Sequence, residues 1–232
     1  NLMNNGALKT AALLSGLVAT SAFAQGETGS PASKAGATFW IDHNVLVYST
    51  DKTKPDEGSD IDDNRLVTTP DDLTVGIFWK NYGIYVMPNN AGGAVGLSLF
   101  PTKEAEVGVL LGTDRQDNDN EPDTESDKIG LFGTYYLQLD SISTIEFQAK
   151  YVYGKSKTEI ANAAGVKSDI EGKSNTFEIG LQYDYQIAEH FHIVPGIFFH
   201  TGSATQDNLT GGDSDTDNTG FQINLAHFRY VF

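Results

Sequence analysis

Three sets of residues in this 232-residue chain have types and spacings capable of chemistry. The first recurs at every second position of apolar segments: Glu106, Glu146, Gln148, Lys150, Glu178, Gln182, Asp184, His192, His200, His227 and Arg229. A period of two puts such residues on one face of an extended strand. A shared polar face of mixed charge can pair ions internally or line a narrow pathway for ions and small solutes. The second set lies in GGDSDTDNTG, where Asp213, Asp215 and Asp217 alternate, and in DRQDNDNEPD, with Asp114, Asp117, Asp119 and Glu121. Oxygen donors so spaced suit Ca²⁺. The full loop pattern is missing, because positions 6 and 12 counted from Asp213 are Asn218 and Asn224 instead of Gly and Glu. A solvated acidic loop is therefore the expectation, with weak Ca²⁺ binding as the alternative. The third set is His200 with Thr201 and Ser203, a base near hydroxyls. No G-x-S-x-G elbow accompanies it, so neither enzymatic activity nor an organic cofactor is expected.

The elements that must position these residues are strands. In TFEIGLQYDYQI, Phe177, Ile179, Leu181, Tyr183, Tyr185 and Ile187 alternate with Glu178, Gly180, Gln182, Asp184 and Gln186. HFHIVPGIFFH repeats the pattern after a tight turn at Ala188 and Glu189, and KIGLFGTYYLQL with STIEFQAKYVYG forms another pair around Asp140 to Ser143. GAVGLSLF with AEVGVLLG forms a third pair. Very short connections alternate with long acidic or polar ones, which is the pattern of a closed antiparallel transmembrane β-barrel with short periplasmic turns and long extracellular loops. A soluble sandwich would mix loop lengths at both ends.

Strand number follows from parity. Seven strands lie between Gly93 and Phe232, so a barrel with both termini on one side needs an odd number before them. TFWIDHNVLVYS, from Thr38, gives one. In LTVGIFWKNYGIYVM the apolar face runs Leu73, Val75, Ile77, Trp79 and then Tyr82, Ile84, Val86, a phase flip that a two-residue hairpin at Lys80-Asn81 produces. Ten strands result and are favoured. The alternative reads the flip as a bulge and gives eight strands, with residues 38–49 outside.

Composition agrees. A net charge of −16 excludes a nucleic-acid partner, which requires a basic face. Nineteen of the 31 acids fall in residues 50–72, 114–127 and 202–218, between the alternating segments, so the acids are expected in loops. Zero cysteines leave no disulfide framework. NNGALKTAALLSGLVATSAFA, with Lys9 ahead of an apolar stretch and Ala22-Phe23-Ala24 at its end, reads as a signal peptide over 1–24, followed by a periplasmic segment 25–37 and a barrel 38–232. Trp40, Tyr48, Trp79, Tyr82, Tyr135, Tyr151 and Tyr185 are expected in the interfacial girdles.

The chain ends HFRYVF, with Phe228, Tyr230 and Phe232 on one strand face. Phe221, Ile223 and Leu225 have the opposite parity, so a bulge near Ala226 is expected if all six point to lipid. This ending resembles the terminal assembly signal of bacterial outer-membrane barrels, and the resemblance implies recognition by the barrel-assembly machinery. LSLFPTKEAEVGVLLG and TYYLQLDSISTIEFQAKYVYG resemble strand-turn-strand units of the small bacterial outer-membrane β-barrel superfamily, the OmpA-like and OmpW-like barrels. That resemblance implies a place in the outer membrane among its lipids and specifies no reaction. The functional expectation is a small porin-like channel for ions or small solutes, cation-preferring because of acidic loops at its mouth. The alternative is a non-conducting structural barrel whose loops meet partners or further subunits, with a barrel enzyme as a minor reading.

Overall fold

Alternation converts directly into a closed wall. The structure, a computed structural model, describes residues 38–55, 59–68, 73–89, 92–116, 124–161, 167–207 and 213–232. The expected signal peptide and periplasmic segment lie outside the described residues, as do Asp117, Asp119 and Glu121. The strands are β1 (Thr38–Pro55), β2 (Ile61–Val67), β3 (Leu73–Trp79), β4 (Tyr82–Asn89), β5 (Gly92–Leu99) and β6 (Ala105–Gln116). They continue as β7 (Thr124–Gln138), β8 (Ser143–Ala161), β9 (Lys167–Ala188), β10 (Phe191–Ile193), β11 (Gly196–Asp207) and β12 (Asp213–Val231).

Ten wall positions form the ring, all antiparallel, and pairing of β1 with β12 from Trp40–Val231 to Pro55–Thr216 closes it. The two further strands subdivide positions of this wall. β10 and β11 share the neighbours β9 and β12 and are successive halves of one strand, interrupted at Val194-Pro195, where proline has no N–H to give the ladder. β3 pairs with β1 from Thr38 to His43, and β2 pairs with it from Val47 to Thr53. Among the described residues β2 is bonded on one side only.

The Lys80-Asn81 hairpin is present, with Trp79 opposite Tyr82, and ten wall positions follow from it. The bulge is present too. Asn44 pairs with His227 and Leu46 with Ala226, but Val47 pairs with Asn224, so both strands change phase there. This slip keeps Phe221 and Tyr230 outside while Asn224, His227 and Arg229 turn inward. The turn after β9 sits at Glu189-His190, one residue later than its expected place.

Two expectations need correction. Strands run into the segments read as acidic loops, so Asp51, Asp62, Asp63, Asp114, Glu125, Asp127, Asp207, Asp213, Asp215 and Asp217 lie on strands. Beyond the apolar belt both faces meet water, so the ladder continues without its hydrophobic period. Connection lengths also fail to alternate strictly. Asn89 pairs with Gly92, which makes the β4–β5 link as short as those of the opposite end.

Candidate functional site

The wall sorts its side chains cleanly. Leu97, Leu131, Ile197 and Phe199 point outward with about half of their surface exposed, between 44% and 60%, and Phe147, Ile179 and Leu181 do the same around the ring. A contiguous apolar belt of this extent is unstable in water and suits hydrocarbon, while closure pairs the backbone groups that lipid cannot. The chain is a transmembrane β-barrel.

The inner face is polar and divides into two levels. Arg229 on β12 holds the level near the short turns. Its Nε donates to Asp42 Oδ1 at 2.8 Å and its Nη2 to Asp42 Oδ2 at 3.2 Å. Nη1 donates to Asp184 Oδ2 at 2.8 Å, and Nη1 and Nη2 both reach Glu146, the latter at 3.3 Å. One guanidinium thus ties β1, β8 and β9 to β12 across the lumen, and it also lies 4.1 Å over the Trp40 ring. His192 Nδ1 is 2.6 Å from Asp184 Oδ1, which makes it a donor to that carboxylate. His227 accepts at Nδ1 from Gln182 Nε2 at 3.0 Å, and its Nε2 is 3.9 Å from Asp42.

Beside the ion cluster stands an aromatic one. Phe78, fully buried, packs with Trp40 at 4.8 Å, Tyr85 at 5.0 Å and Phe100 at 6.1 Å between ring centroids. A Cβ added at Gly76 would come within 2.6 Å of the Phe78 ring, so the glycine is what lets that ring lie flat on the wall. Glu106 is buried here without a cation in direct contact and accepts from the hydroxyls of Tyr85 and Tyr136, the latter at 2.7 Å.

Above this layer the lumen opens into a vestibule of 380 Å³, with Trp40, Tyr85, Tyr136 and Arg229 at its base and Gln148, Lys150, Glu178 and Gln222 among its walls. On its wall Lys150 meets Glu178 at 2.7 Å. Elsewhere Lys128 meets Asp114, and Asp51 lies 2.7 Å from His200 Nε2 and 3.7 Å from Arg65.

All eleven residues of the alternating set thus lie on the inner face. The structure gathers Glu146, Asp184, His192, His227 and Arg229 in one cluster, links Gln148 and Gln182 by a hydrogen bond beside it, and separates Glu106, Lys150, Glu178 and His200 from it. Sequence reasoning missed Asp42, Tyr85 and Tyr136, although their strand parity carried the signal. Trp40 is a correction: it is 4% exposed in the lumen instead of in a girdle, because Thr38, Trp40 and Asp42 are the inward residues of β1.

His200 faces the lumen while Thr201 and Ser203 bond outside it, Ser203 Oγ accepting from Asn175 Nδ2 at 2.9 Å, so the His/Ser arrangement does not assemble. Asp213, Asp215 and Asp217 are exposed on one face of β12, opposite Asp207, Thr205 and Ser203. Among the described residues no three His, Asp or Glu side chains converge as a metal site. Phe228, Tyr230 and Phe232 share the outer face, and the terminal residue is stitched into the wall by bonds from Phe39 N to Phe232 O at 3.1 Å and Phe232 N to Phe39 O at 2.9 Å.

No protein-family model matches this sequence, and no curated protein does. Solved structures do match at low identity. OprG, an outer-membrane protein of Pseudomonas aeruginosa, is 13% identical with a TM-score of 0.39, covering 88% of this chain and 98% of that one. The Escherichia coli outer membrane protease OmpT is 8% identical with a TM-score of 0.40, covering 84% and 96%. Ail, the attachment invasion locus protein of Yersinia pestis, is 12% identical with a TM-score of 0.34, covering 85% and 100%.

Proposed function

We propose that this chain is an integral outer-membrane barrel whose lumen is sealed at the short-turn level, acting as a non-conducting surface barrel. The supporting observation is the cross-lumen Arg229 cluster. Its guanidinium and the carboxylates of Glu146 and Asp184 are each at most 3% exposed, and Phe78, Trp40 and Tyr136 fill the same layer. An open ion path needs hydrated polar groups through its full length, and the groups that span this layer, Arg229, Glu146 and Asp184, are bonded to one another and nearly sealed from solvent. Function then passes to the strand extensions of β1, β2, β7, β8, β9, β11 and β12, which stand beyond the apolar belt and carry its acids to solvent.

The outer membrane is the setting that closed barrels with apolar exteriors fit. The aromatic terminal strand supports the same location and delivery by the barrel-assembly machinery. Conductance in a planar bilayer with a salt gradient tests the reading. Verified insertion without current agrees with it, and steady cation-selective steps would favour the porin-like alternative.

A further inference from the structure

We propose that the vestibule above Arg229 is a binding site for a neutral polyhydroxylated molecule of mono- or disaccharide size. Its volume of 380 Å³ falls at the lower end of the roughly 300–1,000 Å³ typical of small-molecule sites. Five carboxamides line it, Asn44, Gln148, Gln182, Gln222 and Asn224, beside charged groups that are already paired with one another.

Each carboxamide brings two donors and an acceptor with two lone pairs. The bonds they make among themselves and to the wall use only part of that capacity: Gln148 donates to Gln182 and, at 3.4 Å, to Glu146, Gln182 to His227, and Gln222 to Asn224 at 2.7 Å. Hydroxyl groups, which both donate and accept, match the remainder. Tyr85, Phe132 and Phe198 add apolar faces to the same cavity, suited to the C–H faces of a sugar ring.

Charge decides against the other classes. An anion would meet Asp42 and Glu146 at the base, where the single guanidinium is already shared among three carboxylates. An organic cation is the stronger rival, since the base holds more carboxylates than cations. The Trp40 face that would receive it is occupied by Arg229 at 4.1 Å, and Asp42 and Glu146 each already accept twice from that guanidinium. On the wall above, Lys150 and Glu178 cancel each other.

The chain has two tryptophans, so Trp79→Phe leaves Trp40, at the base of the vestibule, as the sole indole reporter. Glucose, maltose, spermidine and citrate are titrated separately into the refolded full chain while its emission is followed. Glucose or maltose should give a saturable change, weakened by roughly tenfold in Gln148→Leu and Gln222→Leu variants that keep the heat-resistant folded band. Silence towards both sugars, a sugar response unchanged in the Leu variants, or saturation by spermidine or citrate alone overturns the site. The inference rests on the lumen being closed beneath the vestibule. Bilayer current overturns that closure, whereas failed sugar titrations with a silent bilayer overturn only the site.

Discussion

The two levels of the lumen are built by the same strands with the same alternation, yet they solve opposite problems. Near the short turns one guanidinium, 3% exposed, serves three carboxylates, of which Glu146 and Asp184 are as deeply buried and Asp42 is 18% exposed, so each partner depends on the others. In the vestibule Lys150 and Glu178 pair singly with 38% and 23% of their side chains exposed, so water can replace either partner. What differs is the room inside: where Phe78, Trp40 and Tyr136 fill it, polar groups must satisfy one another, and where they stop, solvent does so. Charge inside a barrel is therefore structural or accessible according to its aromatic neighbours.

The sharpest way to break this contrast is Arg229→Met, which strands Asp42, Glu146 and Asp184 together. Losing one partner of a buried ionic network costs about 3–5 kcal/mol, so the urea midpoint of unfolding in detergent should fall steeply. Adding Glu146→Gln and Asp184→Asn to the same chain should recover part of it. Tyr136→Phe removes one of the two hydroxyl donors to Glu106 and leaves a buried acceptor short of a partner, a loss of about 1–3 kcal/mol. Lys150→Met in the vestibule should shift the same midpoint by only about 0.2–1 kcal/mol. If it matches Arg229→Met, the distinction between levels fails.

The smallest effect belongs to the turn after β7. There Asp140 Oδ1 accepts from Ser143 Oγ at 2.7 Å and from Ile142 N at 2.9 Å, and these bonds hold its carboxyl below the usual aspartate value. Because the folded value is depressed, its stabilisation is present above the ordinary aspartate range and is lost as pH falls through the folded value. Asp140→Ala should slightly lower the neutral-pH midpoint and have no effect once the pH is below the folded value.

Much of the wall was legible in the sequence, since lipid on one side and polar groups on the other impose a strict period of two. The flip between Trp79 and Tyr82 gave the hairpin, and the mismatch between Leu225 and Phe228 gave the bulge. The strand extensions were not legible, because water on both faces erases the period that marks a strand. Trp40 was misplaced because an aromatic ring suits either a girdle or a lumen, and only the pairing of β1 with β3 and β12 decides between them. Asp42 and Arg229 stand 187 residues apart, and no local pattern announces a contact that depends on how the ring closes.

The central claim, a sealed level beneath an open one, is tested most directly by thiol labelling, for which the absence of cysteine provides a clean background. Single cysteines at Gln222, in the vestibule, and at Thr144, a fully buried position near the short turns, would meet a small cationic thiol reagent added from the vestibule side of oriented proteoliposomes. The account predicts rapid labelling at Gln222→Cys and none at Thr144→Cys. Comparable rates at both positions would contradict it.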